Sequence, residues 1–559
     1  METKRAFLAI ILSMLILMGY QYFFAPAPLP PSVEQNPVQQ SDTPVAPAQF
    51  EQGVGSQAQV IAPPPSQVQP ASSAQPPVQP NAQARDIKIE TELYHAILSE
   101  NGGLLKSFQL KNFKKSIDKD AEDMELITTD SPYELPLSFN WGSGNQTPQP
   151  LYQADRTSLS TMAGGSKTLT MTANSNGLEI TRTMTFDNES YMIDLQITVR
   201  NIGDQALRGA PYLSTANRPF SKHAANNRFM FNGPAFYMND QLTEVKTDDL
   251  EEGFAAKLGT LSWLAYEDTY FMCSILPEQS ENYTVSLALA DEDLVTSTVA
   301  GPPEDLHPST QTTYHYGLFF GPKKLATLQE TGRNLDKIIN FGWFDIIAKP
   351  ALYMLNFFYG FFGNYGVAII LVTVLFKLVF WPISHKGMKS MKTMQKIQPK
   401  MAKLREKYKD DKERLNQEMI TLYRTYKINP LGGCLPMVLQ IPVFFALYKV
   451  LLQTIELRHA PFMFWITDLS APDRLFIGFD LPYLGGIPVL TLLMGGSMFL
   501  QQKMTPTAAD PTQAKVMMFL PVVFTFMFLN FASGLVLYWF VNNLLSITQQ
   551  YVINRSVDN

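Results

Sequence analysis

Asn429-Pro430-Leu431-Gly432-Gly433-Cys434-Leu435-Pro436 closes a strongly basic stretch and runs straight into the apolar series Met437–Tyr448. That series is long enough to enter a bilayer. It nevertheless carries Gln440 and Pro442, and it directly follows Pro436. A polar side chain facing lipid is costly and usually marks function. The junction predicts a membrane protein that handles something polar within the bilayer.

The charge is unevenly spread. Residues 382–430 hold thirteen Lys and Arg against five Asp and Glu, a local +8 in a chain whose total is −6, which leaves −14 for everything else. The acidic average therefore hides a basic block that determines partners. Cys273 and Cys434 are the two cysteines. Two cannot build a disulfide framework, and both read as buried residues without a special role.

A predominantly apolar run of 19 residues, Ala6–Phe24, follows Lys4 and Arg5. Cleavage after Ala25-Pro26-Ala27 would place Pro28 first in the mature chain, so an uncleaved anchor with its start in the cytoplasm is expected. Residues 25–84 contain fourteen prolines and no Lys or Arg, a composition that reads as a disordered tether. From 85 to 320 short alternating runs (Asp86–Leu98, Lys167–Ala173, Leu178–Phe186, Tyr191–Val199) are separated by turns such as Asn176-Gly177. They predict a large antiparallel sandwich on the outer side of the membrane.

Gly321–Phe341 reads as a connecting helix and Trp343–Phe362 as an interfacial one, interrupted by Asp345 and Lys349-Pro350. Val367–Trp381 then enters the membrane, and further spans are expected at 433–455, 486–502, 516–531 and 535–553. With the anchor these make six transmembrane helices, both termini cytoplasmic. The expected class is a multi-domain membrane protein: an all-β sandwich, an α-helical transmembrane core and a cytoplasmic helical hairpin. Its domains are 1–24 (anchor), 25–84 (tether), 85–320 (sandwich), 321–362 (connecting and interfacial helices), 363–383 (second transmembrane helix), 384–430 (hairpin) and 431–559 (the remaining four). The spans at 486–502 and 516–531 reach only about 25 Å against a hydrocarbon core of about 30 Å. Either the bilayer is thinned there or the span ends lie a few residues further out.

Lys377 sits inside Val367–Trp381. It either snorkels to the cytoplasmic surface or joins Thr373, Gln440, Gln501-Gln502, Tyr538-Trp539 and Asn542-Asn543 in a wet concavity. The basic block repeats apolar residues at spacings of 3 and 4: Met391, Met394, Ile397, Met401, Leu404 and Tyr408, then Leu415, Met419, Leu422 and Tyr426. This is a helical hairpin, turned by Asp410–Glu413, with Asp410 and Glu413 at capping-box spacing and Pro399 expected to kink or restart the first arm. Its basic faces suit lipid headgroups, ribosomal RNA or an acidic partner. Six scattered histidines and the lack of a phosphate loop or nucleophile elbow argue against an enzyme, a cofactor or a metal site.

Asn429–Tyr448, Gln395–Met401, Gln502-Lys503-Met504-Thr505-Pro506 and Ser533–Trp539 resemble the YidC/Oxa/Alb superfamily of membrane insertases, in its Gram-negative form with a periplasmic domain. The resemblance covers the whole architecture. It implies an inner-membrane insertase and chaperone, without catalysis, that inserts, folds and helps assemble inner-membrane proteins alone or with the Sec translocon. The implied hydrophilic groove, open to the cytoplasm, comprises Lys377 (where the family usually has arginine), Thr373, Gln440, Gln502, Tyr538 and Trp539. Substrate would slide past Ile441, Pro442, Val443 and Phe444, with Phe526 and Met527 opposite. The hairpin, with Lys396, Pro399, Lys403, Arg405, Lys412 and Arg414, would receive it first. Implied partners are nascent membrane proteins, the lipid bilayer, the Sec translocon (SecYEG and SecDF), and the ribosome or signal recognition particle receptor. Tethering of the ribosome through a basic tail is not expected, since little follows Arg555. The sandwich looks like a galactose-mutarotase-type fold with no catalytic pair. The rival readings are a solute transporter, which would show paired inverted repeats, and a membrane-anchored carbohydrate enzyme.

Overall fold

The computed structural model describes residues 84–558, apart from Lys119, 130–133, 145–148, 221–229, 279–281, Glu292, 427–434, Asp480, 482–483 and 505–510. The expected anchor, the tether and the Asn429–Cys434 junction lie outside the described residues. All described residues fall in one compact unit that begins at Val78.

Strands occupy most of the first half. Leu178–Asp187 turns its even-numbered residues inward, and Met192–Asn201 pairs with it antiparallel, Leu195 opposite Met184. This period-two alternation is what lets one face pack and the other meet water. Asn176 and Gly177, both at positive φ (+50° and +77°), make the tight turn between Ser166–Ser175 and Leu178–Asp187, as a two-residue hairpin requires. The expected single run Asp86–Leu98 is instead a hairpin of Asp86–Glu90 and Tyr94–Ser99. Thr91 folds it back by accepting the Tyr94 amide on its hydroxyl, a local bond that period-counting does not reveal. A five-stranded sheet built on this hairpin faces a fourteen-stranded one. Lys257–Glu267 pairs with Asn282–Val285 at its start and Met272–Ile275 at its end, so a single strand serves two neighbourhoods. Trp263, Phe108, Phe186 and Phe319 fill the interior. Cys273 is also buried, and desolvation pushes its thiol up.

Helix α1 is only Leu325–Thr331. The longer connecting helix expected over Gly321–Phe341 does not form: Gly321 and Pro322 still belong to a strand, and Gly332, Arg333 and Asn334 all adopt positive φ, which breaks the helix. Helix α2, Asp345–Phe362, buries Ala348, Ala351, Leu352 and Leu355 and turns Ile346, Phe357 and Phe361 outward. Gly363 ends it in the left-handed conformation, and Asn364 caps the next helix by accepting the Val367 amide.

Helix α3, Tyr365–Lys407, runs for 43 residues through Pro382 and Pro399. The expected membrane segment and the first hairpin arm are therefore one helix, and Pro399 does not restart it. Each proline removes one i→i−4 bond, but the neighbouring bonds hold the helix together. Helix α4, Lys412–Thr425, completes the hairpin. Its cap is Asp411, which accepts the Arg414 amide at 3.0 Å, one residue later than the sequence spacing suggested. Ile397 and Met401 are buried against Met394, Met419, Leu422 and Tyr423, the expected seam in part, with Tyr423 packed in it and the expected Tyr426 exposed.

Helices α5 (Leu435–Gln453), α6 (Val489–Met504), α7 (Pro511–Phe528) and α8 (Ser533–Asp558) follow. Among the described residues, Tyr365–Met394 is the one helical stretch long and apolar enough by itself to cross a membrane; Gln440–Gln453 and Met517–Phe528 are shorter apolar stretches. At 16 residues α6 is about 24 Å long. Gly495 lets α6 approach Thr525 of α7 so closely that a Cβ there would collide with the hydroxyl. Asp473, buried in the loop before α6, accepts the Leu490 and Thr491 amides and the Trp465 indole N–H, and so fixes that loop to the helix start.

Candidate functional site: a polar pocket among the helices

Lys377 lies in the first third of α3 and is half-buried. Its Nζ donates to Ser546 Oγ at 2.6 Å and to Asn542 Oδ1 at 3.4 Å, both on α8. The same Asn542 oxygen accepts from Gln440 Nε2 of α5 at 2.9 Å. Three helices thus meet in one polar cluster around a single ammonium. An ammonium has three N–H donors and two are engaged here, which leaves capacity for an added acceptor. The cluster borders a partly open pocket, whose walls include Thr373, Phe376, Phe380, Val443 and Tyr538.

The pocket is polar on one side only. Thr373 and Tyr538 separate it from a second, smaller and apolar cavity, lined by Ala351, Leu355, Ile369, Val372 and Leu447 among others. Thr373 is buried and donates its hydroxyl to the Ile369 carbonyl at 2.7 Å. The opposite end of the polar pocket reaches Ile383 and Ser384, towards the basic hairpin along α3.

Of the expected groove residues, the structure brings Lys377, Thr373, Gln440 and Tyr538 to this pocket. Gln502 and Trp539 do not line it. Gln502 is half-buried on α6. Trp539 packs edge-on against Phe444, with ring centroids 4.7 Å apart, and touches Phe524 and Phe528 of α7. Of the expected slide, Ile441, Phe526 and Met527 are exposed apolar side chains, while Pro442 is half-buried. Val443 turns into the pocket, and Phe444 joins the Trp539 aromatic cluster. In the hairpin Lys396, Pro399, Lys403, Arg405 and Arg414 are exposed, and Lys412 opens α4. Lys392 donates to the Asn554 carbonyl, tying the base of the hairpin to the end of α8.

Sequence reasoning missed Ser546, the nearest partner of Lys377. The signal was available: Asn542 and Ser546 are four apart and share a helix face. It also missed why α8 is rich in amides. Asn543 donates to Ser497 Oγ of α6 at 3.0 Å, and Gln550 to the Met504 carbonyl at 2.6 Å, so these groups bind helix to helix.

The chain matches two family models in succession: "YidC periplasmic domain" over residues 86–354 and "60Kd inner membrane protein" over 357–559. It is 43% identical to the membrane protein insertase YidC of Pelobacter propionicus over 100% of both chains. It is 39% identical to that of Syntrophobacter fumaroxidans over 99% of each. A crystal structure described as an active YidC insertase aligns over 85% of this chain and 93% of its own, at 18% identity and a TM-score of 0.35.

Proposed function

The chain belongs to the YidC family of membrane protein insertases, and on that premise we propose that it carries nascent inner-membrane proteins into the bilayer through the pocket around Lys377. The family is not enzymatic; it is an inner-membrane family with a periplasmic domain. The finer reading is six transmembrane helices, both ends cytoplasmic, with α3, α5, α6, α7 and α8 forming the core.

The observation that carries the mechanism is the ammonium of Lys377 held by Ser546 and Asn542 beside an open pocket. A lysine at mid-membrane costs about 2.5–3.5 kcal/mol on insertion scales. The oxygens of Asn542 and Ser546 offset part of that cost without neutralising the charge. The positive charge then attracts carboxylates and carbonyl oxygens in the polar outer segment of an incoming chain. Solvation in the pocket lowers the barrier for that segment, and the apolar walls around Thr373 and Tyr538 support a seal towards the periplasm. Transfer of the apolar segment into lipid past Ile441, Phe526 and Met527 supplies the driving force. The short α6 supports local thinning of the bilayer. The exposed cations of the hairpin support first contact with substrate, ribosome or signal recognition particle receptor. The Sec translocon would be the partner for larger clients.

Charge reversal tests this reading. Lys377→Glu is expected to block insertion of a single-span test protein with an acidic outer segment, while Lys377→Arg retains it. Normal insertion by Lys377→Glu at normal expression would remove the role given to this side chain.

A further inference from the structure

Away from Lys377, a small cavity lies where the sandwich meets the far end of α5; Phe231, Glu244, Glu267, Lys323, Asn340 and Gln453 are among its walls. Glu267 ends its strand with a side chain only 1% exposed. One carboxylate oxygen, Oε2, pairs with Lys323 Nζ. The other, Oε1, is fully buried and has no hydrogen-bond partner among the described residues. Lys323 is already committed, since it also donates to the Asp268 carbonyl at 2.9 Å. A buried acceptor left unmatched is costly, and a donor entering the cavity would satisfy it. At the exposed rim, Glu244 adds a second carboxylate, set by Asn340 and facing the fields of Lys323 and Lys449. Lys449 lies four residues before Gln453 on α5.

Two carboxylates with an unmatched oxygen suit an N–H-bearing cation, and Lys449, whose field reaches Glu244 beside the cavity, suits an anion attached to it. That pairing describes a zwitterion. In the topology proposed above Gln453 ends α5 at the outer membrane surface, where the zwitterion within reach is a lipid headgroup. We propose that this cavity binds the primary ammonium of an outer-leaflet aminophospholipid, with the lipid phosphate against Lys449. The site rests on that topology but not on the insertion mechanism. A quaternary ammonium offers no N–H to Glu267 Oε1, so phosphatidylcholine should be rejected.

The test uses the full chain in nanodiscs containing phosphatidylethanolamine and phosphatidylcholine in equal amounts over a phosphatidylglycerol background, with retained lipid read by native mass spectrometry. Wild type is expected to retain phosphatidylethanolamine preferentially. Glu267→Gln should lower that preference by about tenfold, the loss of one charge-assisted hydrogen bond. Because Glu267→Gln strands Lys323 and could unfold the junction, Glu244→Gln at the exposed rim provides a second variant with a smaller loss. Glycerophosphoethanolamine added in detergent should displace the retained lipid, which tests headgroup chemistry without reference to topology. Equal retention of both lipids by wild type, no displacement, or undiminished preference in both variants would overturn the proposal. Lys377→Glu should leave lipid retention unchanged, so insertion and lipid binding can fail separately.

Discussion

Lys377, Glu100 and Arg182 are three charges buried to different degrees, and the chain accommodates each differently. Lys377 has neutral oxygens as partners, which keeps its charge available. Glu100 has an opposite charge: Arg85 donates to it in fork geometry, and the Ala154 and Arg85 amides add to it. The Arg85 guanidinium holds the Glu100 carboxyl down at about 2. Its folded value therefore lies below its unfolded one, so its stabilisation is present above about pH 4.5 and is lost as pH falls towards 2. Glu100→Gln is expected to flatten the acid limb of the sandwich's melting temperature between those limits and to lower stability at pH 7; an unchanged acid limb would contradict the assignment. Arg182 is held like Lys377 by neutral oxygens, but fully buried: Nη1 donates to the Gly102 and Leu137 carbonyls within an apolar interior. Lys377 was legible in the sequence because a cation in an apolar run stands out. Ser546 was not, since a hydroxyl in a membrane helix is cheap when it bonds its own backbone, as Ser546 also does to the Asn542 carbonyl. Arg182 sits at an inward strand position and reads as a break in the alternation until the two carbonyls, 80 and 45 residues away, are seen.

At the level of elements, helix α3 decides how the pocket and the hairpin are related. As one helix of 43 residues, about 65 Å long, it gives the hairpin a rigid path to Lys377. Pro399 was expected to kink or restart the first arm; it does not restart it, because Pro399 is exposed and a single missing bond is tolerated where no neighbour needs the space. The hairpin seam was legible from its spacing of 3 and 4, because Met and Leu at those intervals fall on one face. The cap position was not, since Asp410 and Asp411 are adjacent and chemically equal; only geometry selects Asp411. Asp411→Ala should cost α4 about 1 kcal/mol. Hydrogen exchange at Leu415 and Met419 should then accelerate several-fold, with sandwich amides unaffected; acceleration after Asp410→Ala instead would contradict the assigned cap. The strands were legible where period two was strict. The Asp86–Leu98 hairpin was not, because Thr91 makes its turn without Gly, Asn or Pro.

In the whole molecule the pocket is built by α3, α5 and α8, with no wall from the sandwich. The sandwich is nevertheless attached firmly: Trp263 Nε1 donates to the Asn334 carbonyl at 3.0 Å, and Arg458 donates to the Lys114 carbonyl at 2.6 Å. Removing most of residues 85–320 should leave insertion of a simple single-span client largely intact, whereas complete loss would place an essential part of the site in the sandwich. These attachments could not be read from the sequence, because each joins a side chain to a backbone carbonyl of a distant segment. The central claim concerns the route of the substrate, and site-specific photocrosslinking to a stalled nascent membrane protein tests it most directly. Crosslinkers at 377, 441 and 527 should capture the chain, with 377 reaching its polar outer segment and 441 and 527 its apolar segment, while one at the exposed Trp343 should not. Capture from 343 but not from 377 would contradict a path through this pocket.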